Sequence, residues 1–270
     1  MNHAPRHVLI TGAAGAIGGA VARAMRDAWP EARLALLDRD ATAMADLARE
    51  LGNATTHGAD LAETDKLGDV LAQIERTRGE DRRHEELPLD GLVNCAGVMR
   101  VRDTATWEWD AAAQMMAINL MSPLYLQDHV VRNVVARGDA ERCVIVNVAS
   151  MAGKVPLKGC TYYGASKAGL GMASEIARAD LAPRGVRVVT VYPGPVRSAL
   201  EQGARDDYNG AGLFGRIAPT GEPDVLARLI LRAIEKNEPR VIYPRIYQAG
   251  WSATSIASWF ALSYGPPPAA

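Results

Sequence analysis

Thr11-Gly12-Ala13-Ala14-Gly15-Ala16-Ile17-Gly18 follows the apolar run at 7–10 and leads straight into residues 16–29, where Ile17, Val21, Ala24 and Met25 recur on one helical face. An apolar run, a turn of small residues and an amphipathic stretch in immediate succession make a strand-turn-helix unit. Small side chains in such a turn let the backbone approach a pyrophosphate, and the helix N-terminus offers it unpaired N–H groups. A tight strand-to-helix turn needs glycine in any case, so the turn alone identifies no ligand. Asp38 adds to it: this residue lies twenty positions past Gly18, at the end of the next apolar run, 33–37. A carboxylate there accepts hydrogen bonds from adenosine ribose hydroxyls and repels a 2′-phosphate, which favours NAD over NADP. Arg39 beside it offsets part of that repulsion. The other use of an aspartate at this place is to cap the helix that follows.

The alternation repeats along the chain. Strands are expected at 7–10, 33–37, 55–59, 91–95, 143–148, 186–192 and 240–243, and helices at 16–29, 41–51, 66–78, 110–136, 163–181 and 225–235. The strands carry few polar residues, as strands buried on both faces do. The pattern predicts an α/β fold: a single-domain, Rossmann-like, doubly wound parallel sheet with helices on both faces. No Pro/Ser-rich linker and no repeat divides the chain, so one dinucleotide-binding and catalytic domain over 1–270 is expected. Two segments break the rhythm. Residues 75–86 are charged or His at ten of twelve positions and read as a solvated loop. Residues 246–270 carry no formal charge; Ala249, Ala253, Ile256, Ala257, Phe260 and Tyr264 fall on one helical face, with Trp251 and Trp259 on an adjacent one. That segment suits packing on its own core or on a second subunit; contact with a membrane surface is the alternative, weakened by the lack of cationic residues. The last stretch, 265–270, is expected to fray.

Composition narrows the function classes. The 270 residues are 48% hydrophobic and 23% charged, which excludes a disordered, collagen-like or coiled-coil chain. A net charge of −1 argues against a nucleic-acid partner. Cys95, Cys143 and Cys160 cannot all pair and show no metal-ligand spacing, so they read as reduced thiols of a cytoplasmic protein with no metal site. Residues 1–7 have no leader architecture, and no window of 18 apolar residues exists.

Ser150, Tyr163 and Lys167 form a spacing that can carry proton chemistry, suggestive in itself. Tyr163 and Lys167 are four apart and share one helix face, thirteen residues after a serine that closes a strand. Delivering hydride to a carbonyl needs a proton donor at its oxygen, and the reverse reaction needs a base. A phenol with an ordinary pKa of about 10 is a poor base at neutral pH. Lowering it by about 3 units takes roughly 4 kcal/mol of differential stabilisation, for which the Lys167 ammonium is the candidate.

Taken together, these motifs resemble the short-chain dehydrogenase/reductase family almost from end to end. Gly12 and Gly18 match the outer glycines of its TGxxxGxG turn, whereas Gly15 comes one residue early and Ala16 takes the usual middle-glycine position. Asp60-Leu61 matches the pair that caps the adenine. Asn94-Cys95-Ala96-Gly97 matches its NNAG motif, with Cys95 replacing the second Asn. Pro193-Gly194-Pro195-Val196-Arg197-Ser198 is similar to the PGxxxT segment that meets the nicotinamide carboxamide. The resemblance implies that Tyr163 is the general acid/base, that Lys167 also bonds the nicotinamide ribose, that Ser150 holds the substrate oxygen and that Asn119 supports a water-linked proton relay. It also implies ordered binding, cofactor first, and a homodimer or homotetramer joined through residues 110–136 and 163–181.

The substrate pocket is expected between residues 151–160, 98–102 and 199–219. Met151, Val155, Pro156 and Leu157 make an apolar lining, which points to a hydrophobic secondary alcohol or ketone. Gly203, Gly210, Gly212 and Gly215 suit a lid over about 199–220. Arg100, Arg197 and Arg205 could instead meet a carboxylate or phosphate. Cys160 reads as a spectator thiol. An NADP-dependent carbonyl reductase and a non-catalytic nucleotide sensor are the alternatives on the same fold.

Overall fold

In a computed structural model, which describes residues 4–76, 87–208 and 219–268, seven strands alternate with ten helices among those residues. The strands are β1 (His7–Thr11), β2 (Arg33–Asp38), β3 (Ala54–Gly58), β4 (Gly91–Asn94), β5 (Val144–Val148), β6 (Arg187–Pro193) and β7 (Arg240–Tyr243). The helices are α1 (Ala16–Ala28), α2 (Ala45–Leu51), α3 (Leu67–Glu75), α4 (Trp109–Met116), α5 (Ser122–Arg137), α6 (Thr161–Leu181), α7 (Ala199–Asp206), α8 (Pro223–Glu235), α9 (Tyr247–Ser252) and α10 (Thr254–Tyr264).

All strands run parallel in the order β3-β2-β1-β4-β5-β6-β7. Side chains alternate between two cores. Val8, Ile10, Leu34, Leu36, Val93, Val146 and Val189 pack under Val21 and Met25 of α1 and Leu226, Ile230 and Ile234 of α8. Leu9, Ala35, Leu37, Leu92, Ile145 and Val188 pack under Leu67, Leu71 and Ile74 of α3 and Leu126, Val130 and Val134 of α5. Period-two alternation with both faces covered is what a parallel sheet between helical layers requires. Each fully buried Leu, Ile or Val contributes roughly 1.5–3 kcal/mol, so these two layers dominate the stability.

The strand order reverses between β1 and β4, and a crevice opens beyond their C-terminal ends, where open α/β sheets bind ligands.

Three departures from the expected elements bear on that crevice. The single helix expected at 110–136 is interrupted: a π-type segment, Ala117–Met121, separates α4 from α5, and the Ser122 N–H donates to Ala117 O. Pro123 is the cause. It has no N–H to give to Asn119 O, and its ring crowds that carbonyl, so the ladder widens just before it. Second, the segment 199–220, expected as a lid, begins with helix α7, which Ser198 caps by accepting from Glu201 N at 3.1 Å. Gly210, Gly212 and Gly215 lie outside the described residues, as does most of the charged stretch at 75–86. Third, the C-terminal helix breaks at Ala253 (φ −122°, ψ 50°).

The break at Ala253 separates the two tryptophans. Trp251 turns inward against the Tyr192 ring (centroids 4.6 Å apart), with Lys154 Nζ 4.4 Å and the Arg240 guanidinium 5.0 Å from its own centroid. Trp259 stays 60% exposed. The expected fraying of 265–270 does not describe residues 265–268. Lys158 Nζ donates to Gly265 O at 3.3 Å, and Pro268 pairs with Tyr208.

Candidate active site

The glycine turn lies over the end of β1. Gly12 has φ +67°, and a Cβ there would stand 2.7 Å from Ala96 Cα, so both backbone shape and the neighbouring loop demand glycine. At Gly18 a Cβ would stand 2.2 Å from Gly12 O. Gly15 is different: it precedes α1 with φ −76°. Ala16 opens α1, and Asn237 is the only described non-glycine residue with positive φ, so the Ala16 methyl imposes no backbone strain. Ile17 packs against the α1/α8 core from the first turn of the helix.

Asp38 ends β2 facing this turn. Its Oδ2 accepts from Ala14 N at 3.1 Å and its Oδ1 from Arg39 N at 2.7 Å; the Arg39 side chain is exposed. Asp38 caps no helix; its neighbour Asp40 accepts from Thr42 N at 2.9 Å and Thr42 Oγ1 at 2.6 Å in the turn before α2. Asp60 follows β3 and accepts from Ala62 N at 2.8 Å. Leu61 is held from the far side, where Ser122 Oγ donates to its carbonyl at 2.5 Å.

Beyond β4, Asn94 Nδ2 donates to Pro123 O at 3.0 Å and Asn147 Oδ1 at 2.8 Å. The Thr11 hydroxyl accepts from both Cys95 N and Ala96 N at 3.1 Å and so ties this loop to β1, a role the sequence did not reveal. Burial pushes the Cys95 thiol up to about 12, which keeps it neutral. A Cβ on Gly97 would lie 3.3 Å from both Lys167 Nζ and Asn119 Oδ1, so this glycine gives the lysine its room.

Ser150, Tyr163 and Lys167 meet where β5 faces the start of α6. Ser150 Oγ accepts from Ala152 N at 3.1 Å and lies beside the Tyr163 phenol, close enough to favour its charged form. Lys167 is buried one turn below Tyr163 and donates to Val148 O at 2.9 Å. Asn119, fully buried in the π-type segment, accepts from Val98 N at 2.9 Å and donates to Val98 O at 2.9 Å and Ser166 Oγ at 3.2 Å. Tyr162 points elsewhere, edge-on to Trp107 at 5.0 Å.

Burial is the largest influence on both catalytic candidates and acts in opposite senses. It raises the Tyr163 phenol, with the Ser150 hydrogen bond pulling the other way, and lowers the Lys167 ammonium to about 8. In the protein alone burial holds the Tyr163 phenol above its ordinary value, and the Lys167 charge is not among the influences that oppose it.

The segment after β6 completes the ring of motifs. Pro193 ends the strand, and Gly194 N donates to Tyr243 O at 2.8 Å. A Cβ on Gly194 would stand 2.6 Å from the Tyr247 ring of α9, a contact with no signal in the sequence. Val196 bridges to Gly221, and Ser198 Oγ donates to Val196 O at 3.1 Å while capping α7.

Around Tyr163 the neighbours are Val101, Met115 and Cys160, with Met99, Trp107 and Tyr208 packed against them. Tyr208 contacts Cys160 Sγ at 3.4 Å and donates to Lys158 O at 3.1 Å; burial raises the Cys160 thiol. Arg197 pairs with Glu222 at 2.8 Å, and Arg205 engages Glu201 and Thr220. Among the described residues no three His, Cys, Asp or Glu side chains gather as a metal site would require, and no helix is long and apolar enough to cross a membrane.

Comparison with known proteins agrees with this arrangement. The family model for short chain dehydrogenases matches residues 6–209. D-threitol dehydrogenase of Mycolicibacterium smegmatis is 33% identical over 81% of this chain and 82% of its own length. Galactitol 2-dehydrogenase (L-tagatose-forming) of Cereibacter sphaeroides is 32% identical over 71% of each chain. Among solved structures, a short-chain dehydrogenase from Sphingobium yanoikuyae in complex with NADPH superposes with a TM-score of 0.76 at 25% identity, covering 96% of this chain and 95% of that one. With a parallel sheet in this order, a glycine turn at its switch point and a family match over three of every four residues, the chain belongs to the short-chain dehydrogenase/reductase family of oxidoreductases.

Proposed function

We propose that this oxidoreductase transfers hydride between NAD(H) and a hydrophobic secondary alcohol or ketone, with Tyr163 as general acid/base. The observation that carries the proposal is Tyr163 and Lys167 one turn apart on the buried face of α6, with Ser150 beside the phenol, next to the crevice between β1 and β4. The residues fit a dinucleotide: Gly12 and Gly18 let the turn close tightly on itself and on the loop after β4 ahead of the α1 N-terminus, and the Asp38 carboxylate faces the turn. Gly12, Gly15, Ala16, Ile17 and Gly18 would hold the pyrophosphate, Asp38 and Arg39 the adenosine ribose, and Asp60, Leu61, Asn94, Ala96 and Gly97 the adenine side. Tyr163 and Lys167 would hold the second ribose, and Pro193, Gly194, Val196 and Ser198 the carboxamide. A bound nicotinamide supplies the hydride acceptor or donor.

Ser150 and Tyr163 then hold the substrate oxygen. In reduction the Tyr163 hydroxyl donates its proton to that oxygen; in oxidation the phenolate takes it back. With a pKa of about 8, Lys167 is mostly cationic at pH 7, and its charge stabilises the phenolate. The Asn119 side chain is already engaged by Val98 and Ser166, so its carbonyl, which Pro123 deprives of an ordinary helical donor, is the group for a proton relay.

Met99, Val101 and Met115 near Tyr163 support an apolar substrate rather than a polyol. The whole chain, 1–270, acts as one cytoplasmic catalytic domain with 199–220 as its lid. Exposed Trp109, Met121, Tyr125, Met172 and Ile176 on α4, α5 and α6 or their junction support a homodimer or homotetramer. Arg39, exposed beside Asp38, and the NADPH of the Sphingobium neighbour favour NADP dependence as the second reading.

Fluorescence titration with NADH and NADPH separates the two; tighter NADPH binding overturns the use of Asp38. A panel of apolar ketones and alcohols beside threitol and galactitol then tests the substrate class. Replacing Tyr163→Phe lowers turnover by roughly 100-fold or more with cofactor binding retained; unchanged turnover removes Tyr163 from the mechanism.

A further inference from the structure

Four adjacent strands carry a polar side chain at one level of the sheet. Thr11 of β1, Asn94 of β4, Asn147 of β5 and Thr190 of β6 are register partners, each at most 1% exposed. One step down the same face, their register partners Leu9, Leu92, Ile145 and Val188 are apolar. The polar row is tied to the helices above it. Asn147 Oδ1 accepts from Asn94, and Asn147 Nδ2 donates to Gln127 Oε1 of α5 at 2.8 Å and to Ser174 Oγ of α6 at 3.0 Å. Thr190 Oγ1 donates to the same Ser174 Oγ at 2.7 Å.

Ser174 lies on the buried face of α6 that also carries Tyr163, Lys167 and Leu170. The helix therefore meets the β5 segment at three polar points. Tyr163 reaches Ser150, Lys167 reaches Val148 O, and Ser174 reaches Asn147. The first two belong to the reacting end. The third lies deeper and touches neither cofactor nor substrate.

We infer that Asn147, Ser174 and Thr190 are positioning residues that set how far along β5 helix α6 sits, and with it the placement of Tyr163 and Lys167. The inference rests on the proposed role of Tyr163. Apolar contacts such as those of Leu170 have no preferred direction and let a helix slide by a fraction of a turn. Buried hydrogen bonds do not, because a small slide leaves both partners unpaired away from water. A displacement of about 1 Å at reacting groups costs about 100-fold in rate.

The test pairs two substitutions at one site. Thr190→Val keeps the shape and removes the hydroxyl; Thr190→Ser keeps the hydroxyl and removes a methyl. Ser174→Ala removes the acceptor itself. Positioning predicts that kcat falls roughly tenfold or more in Thr190→Val and Ser174→Ala, with KM and the NADH dissociation constant within about twofold and Thr190→Ser near the parent. A role in packing alone predicts the reverse order, with Thr190→Ser the more impaired, and that result, or a fully active Thr190→Val, overturns the inference. A parent protein inert towards every alcohol and ketone offered would count against the proposed reaction instead. The inference is then read from the titration of Tyr163 by 13C-tyrosine NMR, assigned with Tyr163→Phe. A midpoint moved by Thr190→Val and restored by Thr190→Ser supports it, and an unmoved midpoint overturns it.

Discussion

Acid should destabilise this protein through one histidine. His7 opens β1 fully buried; its Nδ1–H donates to Leu87 O at 2.7 Å, and its Nε2 has no partner among the described residues. Burial is the main reason its pKa falls from 6.5 to about 4, with the Leu87 carbonyl and Glu75 opposing the fall and Arg33 and His57 adding to it. A base whose folded pKa lies below its unfolded one binds protons more readily when unfolded. Its contribution is thus complete above pH 6.5 and is lost as pH falls towards 4. The gap is worth about 3.4 kcal/mol once both states are protonated, and about 2 kcal/mol at pH 5. His7→Asn retains a donor for Leu87 and removes the titration. Urea unfolding of both proteins at pH 7, 6 and 5 isolates the effect from other titrating groups, including Glu75 and Asp90. The parent should lose about 2 kcal/mol relative to the variant between pH 7 and 5. A difference constant within about 0.5 kcal/mol would refute the burial argument.

Three further outcomes follow from geometry. Gly18→Ala drives a methyl to 2.2 Å from Gly12 O and should weaken NADH binding roughly tenfold or more, whereas Gly15→Ala, 3.1 Å from the same atom, should stay within about threefold by fluorescence titration. Asp38→Asn removes the charge that repels a 2′-phosphate, so NADH should bind about tenfold more weakly and the NADH/NADPH preference should narrow, as competition between the two reports. Trp251→Ala empties the site between Tyr192, Lys154 and Arg240 and should cost about 2 kcal/mol in urea unfolding, while Trp259→Ala, at a 60% exposed position, should fall within about 0.5 kcal/mol.

Much of the architecture was legible because the signals were local. The alternation of Val8, Leu9 and Ile10 and the small residues of the turn each act within a few positions, and their elements formed where expected. The Tyr163/Lys167 spacing likewise placed both residues on the buried face of α6. Pro123 was a local signal too, and it explains the interruption between α4 and α5 that helical periodicity alone concealed. What could not be read depends on partners distant in sequence. Ala253 carries no breaker; the helix ends there while Trp251 docks on Tyr192 and Thr254 Oγ1 donates to Trp251 O at 2.9 Å. The contact of Tyr247 with Gly194 and the polar row through Asn147 need the strand register, which no spacing within one segment supplies. The upward push of burial on the Tyr163 phenol was likewise out of reach, because desolvation is a property of the folded environment.

The strand order has a kinetic side. Every neighbouring pair in the sheet joins strands consecutive in the chain except β1 and β4, where Val8 pairs with Gly91. Closing that 83-residue span costs roughly 4 kcal/mol of chain entropy, against roughly 3 for the β1–β2 pair. The chain can thus build two wings, β1 to β3 and β4 to β7, before it joins them. The join is the crevice itself, so a dinucleotide lying across it would clasp both wings and stabilise the joined state. In this protein the nucleotide would act on maturation as well as on turnover.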